Sequence, residues 1–378
     1  MRIGVDIYPL LRDFKGISIS LYQTLAHLSQ LDQEDEFFLY ACPSSRLRLP
    51  PLNNARWHLR IRRGLFRRGA TLWMQTGARR DLGRDKIDIF WGTQGILPLN
   101  LPSDIKSVLT VYDLTFYFYP STMSWKNRII MPLFSRRSLL RADRVVAISD
   151  SVAKDLKEIF PFLSQRVSSI YLGLRQELFS CPSPEEARAY VASRYNTSPD
   201  YILAVGTVEP RKNIANLLRA YLVLKEVQPR FNYQLLIAGG GGWRNSAIYK
   251  TYRRLKLCER EVKFLGYVPE EDLARLYGGA ALFVFASLYE GFGLPILEAF
   301  AAGVPVVASD IPVFREIAAD AAFFADTSHP APLALAMFKV LTNSQLREQL
   351  TRRGRERVGL FAWRNTAKKM FDLFREFR

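Results

Sequence analysis

The sequence predicts an α/β protein made of two Rossmann-like, doubly wound parallel-sheet domains that face each other across a cleft. Three observations support this fold class. Short apolar segments alternate with helical patterns along the whole chain, which is typical of parallel strands joined by helices. Several of these segments are nearly continuous runs of Val, Ile, Leu and Phe, as expected of strands covered on both faces. The chain has 378 residues, enough for two domains of ~150–200 residues each.

The apolar segments predict about six strands in each half. Those of the first half are Arg2–Ile7, Phe37–Ala41, Ile87–Trp91, Ser107–Val111, Arg144–Ile148 and Val167–Ile170. Those of the second half are Tyr201–Val205, Tyr233–Ala238, Val262–Phe264, Leu282–Phe285, Val304–Ala308 and Ala322–Phe324. Helical patterns between them include Ser18–Leu31, Ser149–Ile159, Ile214–Lys225 and Pro269–Tyr277.

The predicted domain boundary lies between Gly173 and Asp200, where prolines twice interrupt the helical pattern. We place the first domain at residues 1–180 and the second at 181–360. Open α/β sheets bind ligands at the carboxyl ends of their strands. The loops that follow the strands are therefore where function is expected.

The charge balance is strongly basic, with 53 Lys and Arg against 36 Asp and Glu, a net charge of +17. Such an excess favours polyanionic partners: nucleic acid, anionic lipid or phosphorylated substrates. The excess is patchy, because residues 56–86 hold ten basic and two acidic side chains. No nucleic-acid recognition module is present, so we expect no nucleic-acid partner.

Cysteine and histidine usage argues against a disulfide framework or a metal site. The three cysteines are scattered without a C-x-x-C pair, and the three histidines form no ligand motif. We therefore expect no metal and no cofactor. The acid at position 6 interrupts any leader-like apolar run, and no uncharged apolar stretch of ~18 residues occurs. A cytoplasmic protein, or one peripheral on the inner face of the membrane, is expected.

The densest chemical signal runs from Ser287 to Gly303 and follows a predicted strand. Two glycines there let the backbone approach a ligand closely. Pro295 suits the first helical position, where no amide hydrogen is needed. The amides of residues 292–294 would then face an anion at a helix start, and a diphosphate fits that position.

A second signal lies in residues 206–213, where Gly206 ends a predicted strand. Arg211 and Lys212 directly precede a helix. Two cations at a helix N-terminus are unfavourable for the helix itself. The pair therefore predicts a bound anion, for which guanidinium supplies a fork and ammonium a point charge. A solvated surface pair is the alternative.

Together these segments resemble the retaining glycosyltransferases of family 4, which have the GT-B fold, and specifically bacterial mannosyltransferases. The resemblance covers essentially the whole chain. It rests on Glu209-Pro-Arg-Lys-Asn, Phe264-Leu-Gly-Tyr-Val-Pro-Glu, Glu290-Gly-Phe-Gly-Leu-Pro and Ala302-Gly-Val-Pro-Val-Val-Ala-Ser. It implies a nucleotide diphosphate sugar as donor, a glycan or lipid-linked acceptor, and transfer with retention and without metal. GDP-mannose is favoured over UDP-sugars, which remain open. The segment 361–378 resembles the family's last helix, which returns to the first domain.

The resemblance also implies roles for individual residues. Arg211 and Lys212 would contact the diphosphate, Glu298 the ribose hydroxyls and Glu290 the sugar hydroxyls. The catalytic set would be Glu290, Arg211, Lys212 and Asp113. The donor-binding set would be Gly206, Thr207, Arg211, Lys212, Tyr267, Val268, Glu290, Gly291, Phe292, Gly293, Leu294 and Glu298.

The first half departs from the family pattern at two places. Only Gly16 remains of a usual glycine pair, and Tyr112 precedes Asp113 where relatives commonly have a His-Asp pair. The acceptor-side set would be Gly16, Tyr112, Asp113 and Ser149. Asp113 could instead cap a turn, and Ser149 could simply cap a helix. These departures leave open an alternative function, a GT-B relative without transfer activity that acts as a binding or partner subunit.

The basic segment 56–86 allows two interpretations. It is either a solvated helical face or a surface that docks on anionic membrane. In the second case Trp57, Phe66 or Trp73 would lie at headgroup level. The glycine run 239–242 does not match a dinucleotide fingerprint and is expected to shape a loop.

Overall fold

The structure is a computed structural model that describes residues 1–11, 16–31, 34–42, 47–52, 55–61, 77–123, 125–179, 183–228 and 230–378. The chain divides into two compact units. The first unit comprises Met1–Tyr117, Trp125–Gly173 and Phe361–Arg378. The second unit comprises Phe118–Ser124 and Leu174–Leu360.

The described residues of the first unit form a seven-stranded sheet in the order β3-β2-β1-β4-β5-β6-β7. Every pairing in it is parallel. Its strands are β1 (Arg2–Asp6), β2 (Glu36–Ala41), β3 (Trp57–Ile61), β4 (Ile89–Gly92), β5 (Lys106–Val111), β6 (Arg144–Ala147) and β7 (Val167–Ser169).

In the part of the second unit that the structure describes, six strands form a sheet in the order β10-β9-β8-β11-β12-β13, again with parallel pairings throughout. Its strands are β8 (Tyr201–Val205), β9 (Gln234–Ala238), β10 (Val262–Gly266), β11 (Leu282–Phe285), β12 (Val306–Ser309) and β13 (Phe323–Ala325). Ile202 and Leu203 point to opposite faces of β8 and are both fully buried. Both faces of this strand are therefore covered, which explains its unbroken apolar sequence.

Helices join the strands in both units, as the strand-helix alternation predicts. The described helices of the first unit are Ile17–Leu28, Ala78–Arg84, Trp125–Arg141, Asp150–Ile159 and Trp363–Arg375, and Thr115–Phe118 spans the boundary to the second unit. Those of the second unit are Gln176–Phe179, Pro184–Tyr195, Ile214–Val227, Ser246–Arg254, Glu270–Gly279, Leu294–Ala301, Pro312–Ala318, Pro330–Thr342 and Ser344–Val358. The parallel α/β architecture is confirmed.

Strand β3 was not among the predicted strands, and it corrects the interpretation of residues 57–61 as part of a helical face. Its backbone pairs in parallel with β2 at the edge of the sheet. The Trp57 ring stacks on Phe37 with 4.2 Å between ring centroids, so it packs within its own unit. Most of the remaining basic segment, 62–76 with Phe66 and Trp73, lies outside the described residues.

A helix occupies part of the predicted connector between Gly173 and Asp200. Pro184 starts this helix, and the Ser183 hydroxyl caps it by accepting from the Glu186 amide. Asn196 ends it in the left-handed conformation at φ 50°. The first proline group of the connector, which includes Pro184, therefore begins an element instead of interrupting one.

The helix Trp363–Arg375 belongs to the first unit, although it follows the whole second unit in sequence. It buries Trp363, Met370 and Phe374. Phe374 meets Trp91 and Phe37 edge-on, at centroid distances of 5.7 and 6.5 Å. The core of the first unit is thus completed by the last segment of the chain.

Within the described part of the chain, no helix is long and apolar enough to cross a membrane.

Candidate active site

The loop that follows β8 and the loop that follows β11 lie next to each other because of the strand order of the second sheet. That order reverses between β8 and β11, which pair side by side. Residues 206–213 follow β8, and residues 286–293 follow β11. Ligands of open α/β sheets bind at such a switch point, outside the carboxyl ends of the strands. Parallel-sheet topology therefore brings the two loops together.

The loop after β8 presents its cations through two special backbone positions. Gly206 has a φ of 146°, and a Cβ atom there would lie 3.1 Å from Cε of Lys212. Residues Pro210–Lys212 form a 3-10 turn, which ends at Asn213 with a φ of 55°. Thus the side chain of Lys212 packs against Gly206, where a larger residue would crowd it.

Both cations bind one carboxylate from the other loop. Lys212 Nζ lies 2.5 Å from Glu290 Oε1, and Arg211 Nη1 lies 2.8 Å from Glu290 Oε2. Arg211 also donates to the Tyr289 carbonyl oxygen at 2.7 Å and to Glu209 Oε1 at 2.8 Å. The backbone closes the contact, because the Leu288 amide donates to the Arg211 carbonyl at 2.9 Å.

The cluster of Glu209, Arg211, Lys212 and Glu290 is mostly withdrawn from water. Its side chains are 13–20% exposed. Burial opposes ionisation of Glu290, but the charges of Lys212 and Arg211 outweigh it and lower the pKa of this carboxyl. Glu290 is therefore ionised at neutral pH. Two carboxylates and two cations make the cluster formally neutral before any ligand binds.

The glycine turn after β11 leads directly into a helix. Gly293 has a φ of 146° and precedes the helix Leu294–Ala301. Pro295 is the second residue of this helix, one position later than predicted. The position still suits proline, because amide hydrogens in the first turn have no partner within the helix.

Glu298 lies on the same helix and has a different environment from Glu290. The Tyr277 hydroxyl donates to Glu298 Oε2 at 2.8 Å. Burial raises the pKa of Glu298 to about 7, although the Tyr277 hydrogen bond and the charge of Arg175 act in the opposite direction. The carboxyl thus titrates near neutral pH, where the ribose contact implied by the resemblance would have to form.

Two further predicted donor-side residues, Tyr267 and Val268, directly follow β10, two strands from β8 in the sheet. Tyr267 is 63% exposed, whereas Val268 is 9% exposed. Gly266 precedes them with a φ of 70°, and its carbonyl accepts from the Gly239 amide at 2.7 Å. This contact joins the β10 loop to the glycine run that follows β9.

The predicted acceptor-side residues belong to the first unit. Gly16 precedes the helix Ile17–Leu28 with a φ of 42°. Burial raises the pKa of Tyr112, so its hydroxyl stays protonated at neutral pH. Asp113 Oδ1 accepts from the Thr115 amide at 2.9 Å, and the buried Ser149 caps a helix by accepting from Val152. Both capping alternatives therefore occur, and the acceptor roles stay predictions.

Several neighbours of the charged cluster were missed from the sequence. Lys212 Nζ lies 4.9 Å from the centroid of the Phe285 ring. Ser287 is fully buried, and its hydroxyl has no hydrogen-bond partner among the described residues. Tyr119, distant in sequence, donates to the Leu288 carbonyl at 3.3 Å and contacts the Tyr289 ring. Of these three missed neighbours, only Ser287 lies in the segment Ser287–Gly303. No local sequence pattern indicated a role for Phe285 or Tyr119.

The described residues contain no group of three His, Cys, Asp or Glu side chains arranged to hold a metal ion. Positive charge at this sheet edge comes from Arg211 and Lys212.

Comparison with known proteins agrees with the geometry. The family model "Glycosyl transferases group 1" matches residues 189–357, and "Glycosyltransferase Family 4" matches residues 14–178. O-antigen chain mannosyltransferase B of Escherichia coli is 32% identical over 288 residues, which cover 76% of this chain and 74% of that protein. The chain belongs to the family 4 glycosyltransferases. It is accordingly a glycosyltransferase enzyme.

Two further similarities place this glycosyltransferase among its relatives. It is 33% identical over 237 residues to the serotype-specific mannosyltransferase WbdA of Escherichia coli, over 60% of this chain but only 28% of WbdA. Its structure matches that of HepE from Anabaena in complex with UDP and glucose, with a TM-score of 0.74. That match has 15% identity and covers 99% of this chain and 98% of HepE. The GT-B fold is therefore shown.

Proposed function

We propose that this glycosyltransferase moves mannose from a nucleotide diphosphate sugar to a glycan or lipid-linked acceptor in polysaccharide biosynthesis, with retention and without a metal ion. The observation that carries the proposal is the binding of Arg211 and Lys212 to the two oxygens of Glu290 at the switch point of the second sheet. Mannose is supported by the similarity to an O-antigen chain mannosyltransferase. A nucleotide diphosphate is supported by the complex of the structural relative with UDP and glucose.

The charged cluster fits a donor whose leaving group is a diphosphate. Arg211 and Lys212 are held in place by Glu290, so little side-chain ordering remains to be done when an anion arrives. Each charge-assisted contact to the departing diphosphate contributes ~2–4 kcal/mol in the transition state. A carboxylate has about four acceptor positions, so Glu290 can bind both cations and still accept from sugar hydroxyls.

Retention follows from attack on the face from which the diphosphate departs. The bond between the anomeric carbon and the diphosphate oxygen breaks, and the acceptor oxygen bonds to that carbon on the same face. The acceptor proton moves to the departing phosphate oxygen. This route uses no enzyme nucleophile, and it requires only that the diphosphate be held firmly, which is the role proposed for Arg211 and Lys212.

Calorimetric titration with GDP, followed by transfer assays, tests the proposal. Lys212→Met should weaken GDP binding about tenfold or more, because a charge-assisted hydrogen bond contributes ~1.5–3 kcal/mol. Lys225→Met is the matched control. Lys225 also forms an ion pair within the second unit, with Glu261, and this pair lies away from the loops that follow β8 and β11. Equal affinities of wild type and Lys212→Met for GDP would remove the diphosphate assignment.

A donor panel of GDP-, UDP-, ADP- and dTDP-sugars resolves the finer claims. We expect transfer from GDP-mannose, undiminished by a chelator, with the product keeping the anomeric configuration of the donor. Loss of transfer in the chelator would contradict metal independence, and an inverted product would contradict retention. If every donor binds but none reacts with any glycan acceptor, the alternative of a binding or partner subunit is favoured. Tyr112 in place of the family's histidine and the single Gly16 in place of a glycine pair motivate this alternative.

A further inference from the structure

The helix Trp125–Arg141 of the first unit presents an apolar stripe to solvent. Ile130, Leu133 and Leu140 are 47%, 68% and 54% exposed. These positions and Arg137 recur with the spacing of a single face of an α-helix. At 1.5 Å per residue the stripe is about 15 Å long. The opposite face is packed, since Ser135, Ser138 and Leu139 are buried.

Cations border the stripe, and the segment that contains it holds no carboxylate. Arg128, Arg136 and Arg137 are exposed, and none of them forms an ion pair with a carboxylate of the described residues. Residues 114–142 contain five basic side chains and no Asp or Glu. An exposed apolar stripe flanked by unneutralised arginines is the pattern of a helix that lies in a lipid headgroup layer.

We propose that the exposed face of helix 125–141 is a docking surface for an anionic lipid bilayer. The three aliphatic side chains enter the boundary between headgroups and acyl chains, and the arginines bind lipid phosphates. Charge complementarity selects this occupant. A second copy would oppose one set of unpaired arginines to another, on a chain with a net charge of +17, and like charges repel.

This surface is distinct from the basic segment 56–86, and the proposal does not depend on which sugar is transferred. It makes the bilayer a partner of the first unit through the exposed residues of helix 125–141.

Co-sedimentation of the full chain with vesicles tests the proposal. The vesicles contain one third phosphatidylglycerol in phosphatidylcholine, with pure phosphatidylcholine vesicles for comparison, at about 0.1 M salt. We expect binding to the anionic vesicles only. Since each arginine near an anionic surface contributes about 1 kcal/mol, Arg136→Gln with Arg137→Gln should weaken binding ~20-fold or more. Leu133→Ser with Leu140→Ser should weaken it about tenfold or more.

Matched control variants come from the second unit. Arg253→Gln with Arg254→Gln removes another exposed arginine pair. Leu360→Ser with Leu335→Ser removes leucines that are 61% and 53% exposed. Both controls should bind the anionic vesicles as the wild type does, and circular dichroism establishes that all variants are folded.

Three outcomes would overturn the proposal. The wild type could fail to sediment with anionic vesicles. The two helix 125–141 variants could bind as well as the wild type, which would assign docking elsewhere. The control variants could lose binding equally, which would show an unspecific charge effect. If the leucine pair is too disruptive to fold, the arginine pair decides the result.

Discussion

Replacing Glu298 with glutamine should stabilise the protein at alkaline pH and have little effect in acid. Burial raises the pKa of Glu298 from 4.5 to about 7 in the folded chain. One pKa unit corresponds to 1.36 kcal/mol, so the charged form costs the fold about 3 kcal/mol when fully ionised. Glutamine is neutral at every pH, and its carbonyl oxygen can still accept the hydrogen bond of Tyr277.

The sign follows from linkage between protonation and folding. The folded pKa is raised, so the contribution of Glu298 to stability is fully present below about pH 4.5 and is lost as the pH rises through about 7. Relative to wild type, Glu298→Gln should therefore gain about 2 kcal/mol or more between about pH 5 and about pH 8.5. Urea denaturation across this range measures the difference in free energy of unfolding.

Glu348→Gln provides the control, because Glu348 is exposed on the helix Ser344–Val358. Its free energy of unfolding should parallel that of the wild type at every pH. If Glu298→Gln follows the wild type just as closely, burial does not penalise the charged carboxyl, and the reasoning fails.

Three glycine substitutions should separate backbone crowding from a general loss of flexibility. Gly239→Ala should destabilise the protein by several kcal/mol, because at a φ of 152° its Cβ would overlap the carbonyl of Gly206. Gly240→Ala has nothing near its Cβ and should change the free energy of unfolding by about 1 kcal/mol or less. Equal urea midpoints for the two variants would contradict this. Gly173→Ala should loosen the C-terminal helix from the first unit, because its Cβ would overlap the backbone of Trp363; hydrogen exchange of that helix measures the loosening, and unchanged protection would refute it.

The strands of the second sheet could be predicted closely because local signals end them. Tyr201–Val205 and Leu282–Phe285 have the predicted ends, and one is followed at once by a glycine. The edge strand β3 could not be found, because none of its five residues is buried and it lies inside the basic segment 56–86. Its pairing with β2 and the stack of Trp57 on Phe37 come from tertiary structure, which local sequence does not encode.

The meeting of Arg211 and Lys212 with Glu290 was within reach of sequence reasoning. Both loops follow strands of one parallel sheet, so their side chains share an edge. The choice of partners was not within reach. The hydrogen bond from Tyr277 to Glu298 and the approach of Tyr119 to Leu288 join residues from separate elements. Such contacts depend on tertiary packing, and the spacing of residues in the sequence does not predict them.

The return of the last helix means that the polypeptide is not built as two consecutive modules. Cutting the chain after Gly173 would leave the amino-terminal fragment without the aromatic side chains of residues 363–374. The other fragment would carry an amphipathic helix whose buried face has lost its packing partner. Dissecting the enzyme into separately expressed halves therefore calls for a rearranged gene that fuses the final eighteen residues, Phe361–Arg378, to the amino-terminal piece. Proteolytic cleavage after Gly173 or after Leu360, where the chain passes from one unit to the other, should likewise leave fragments that co-purify under native conditions.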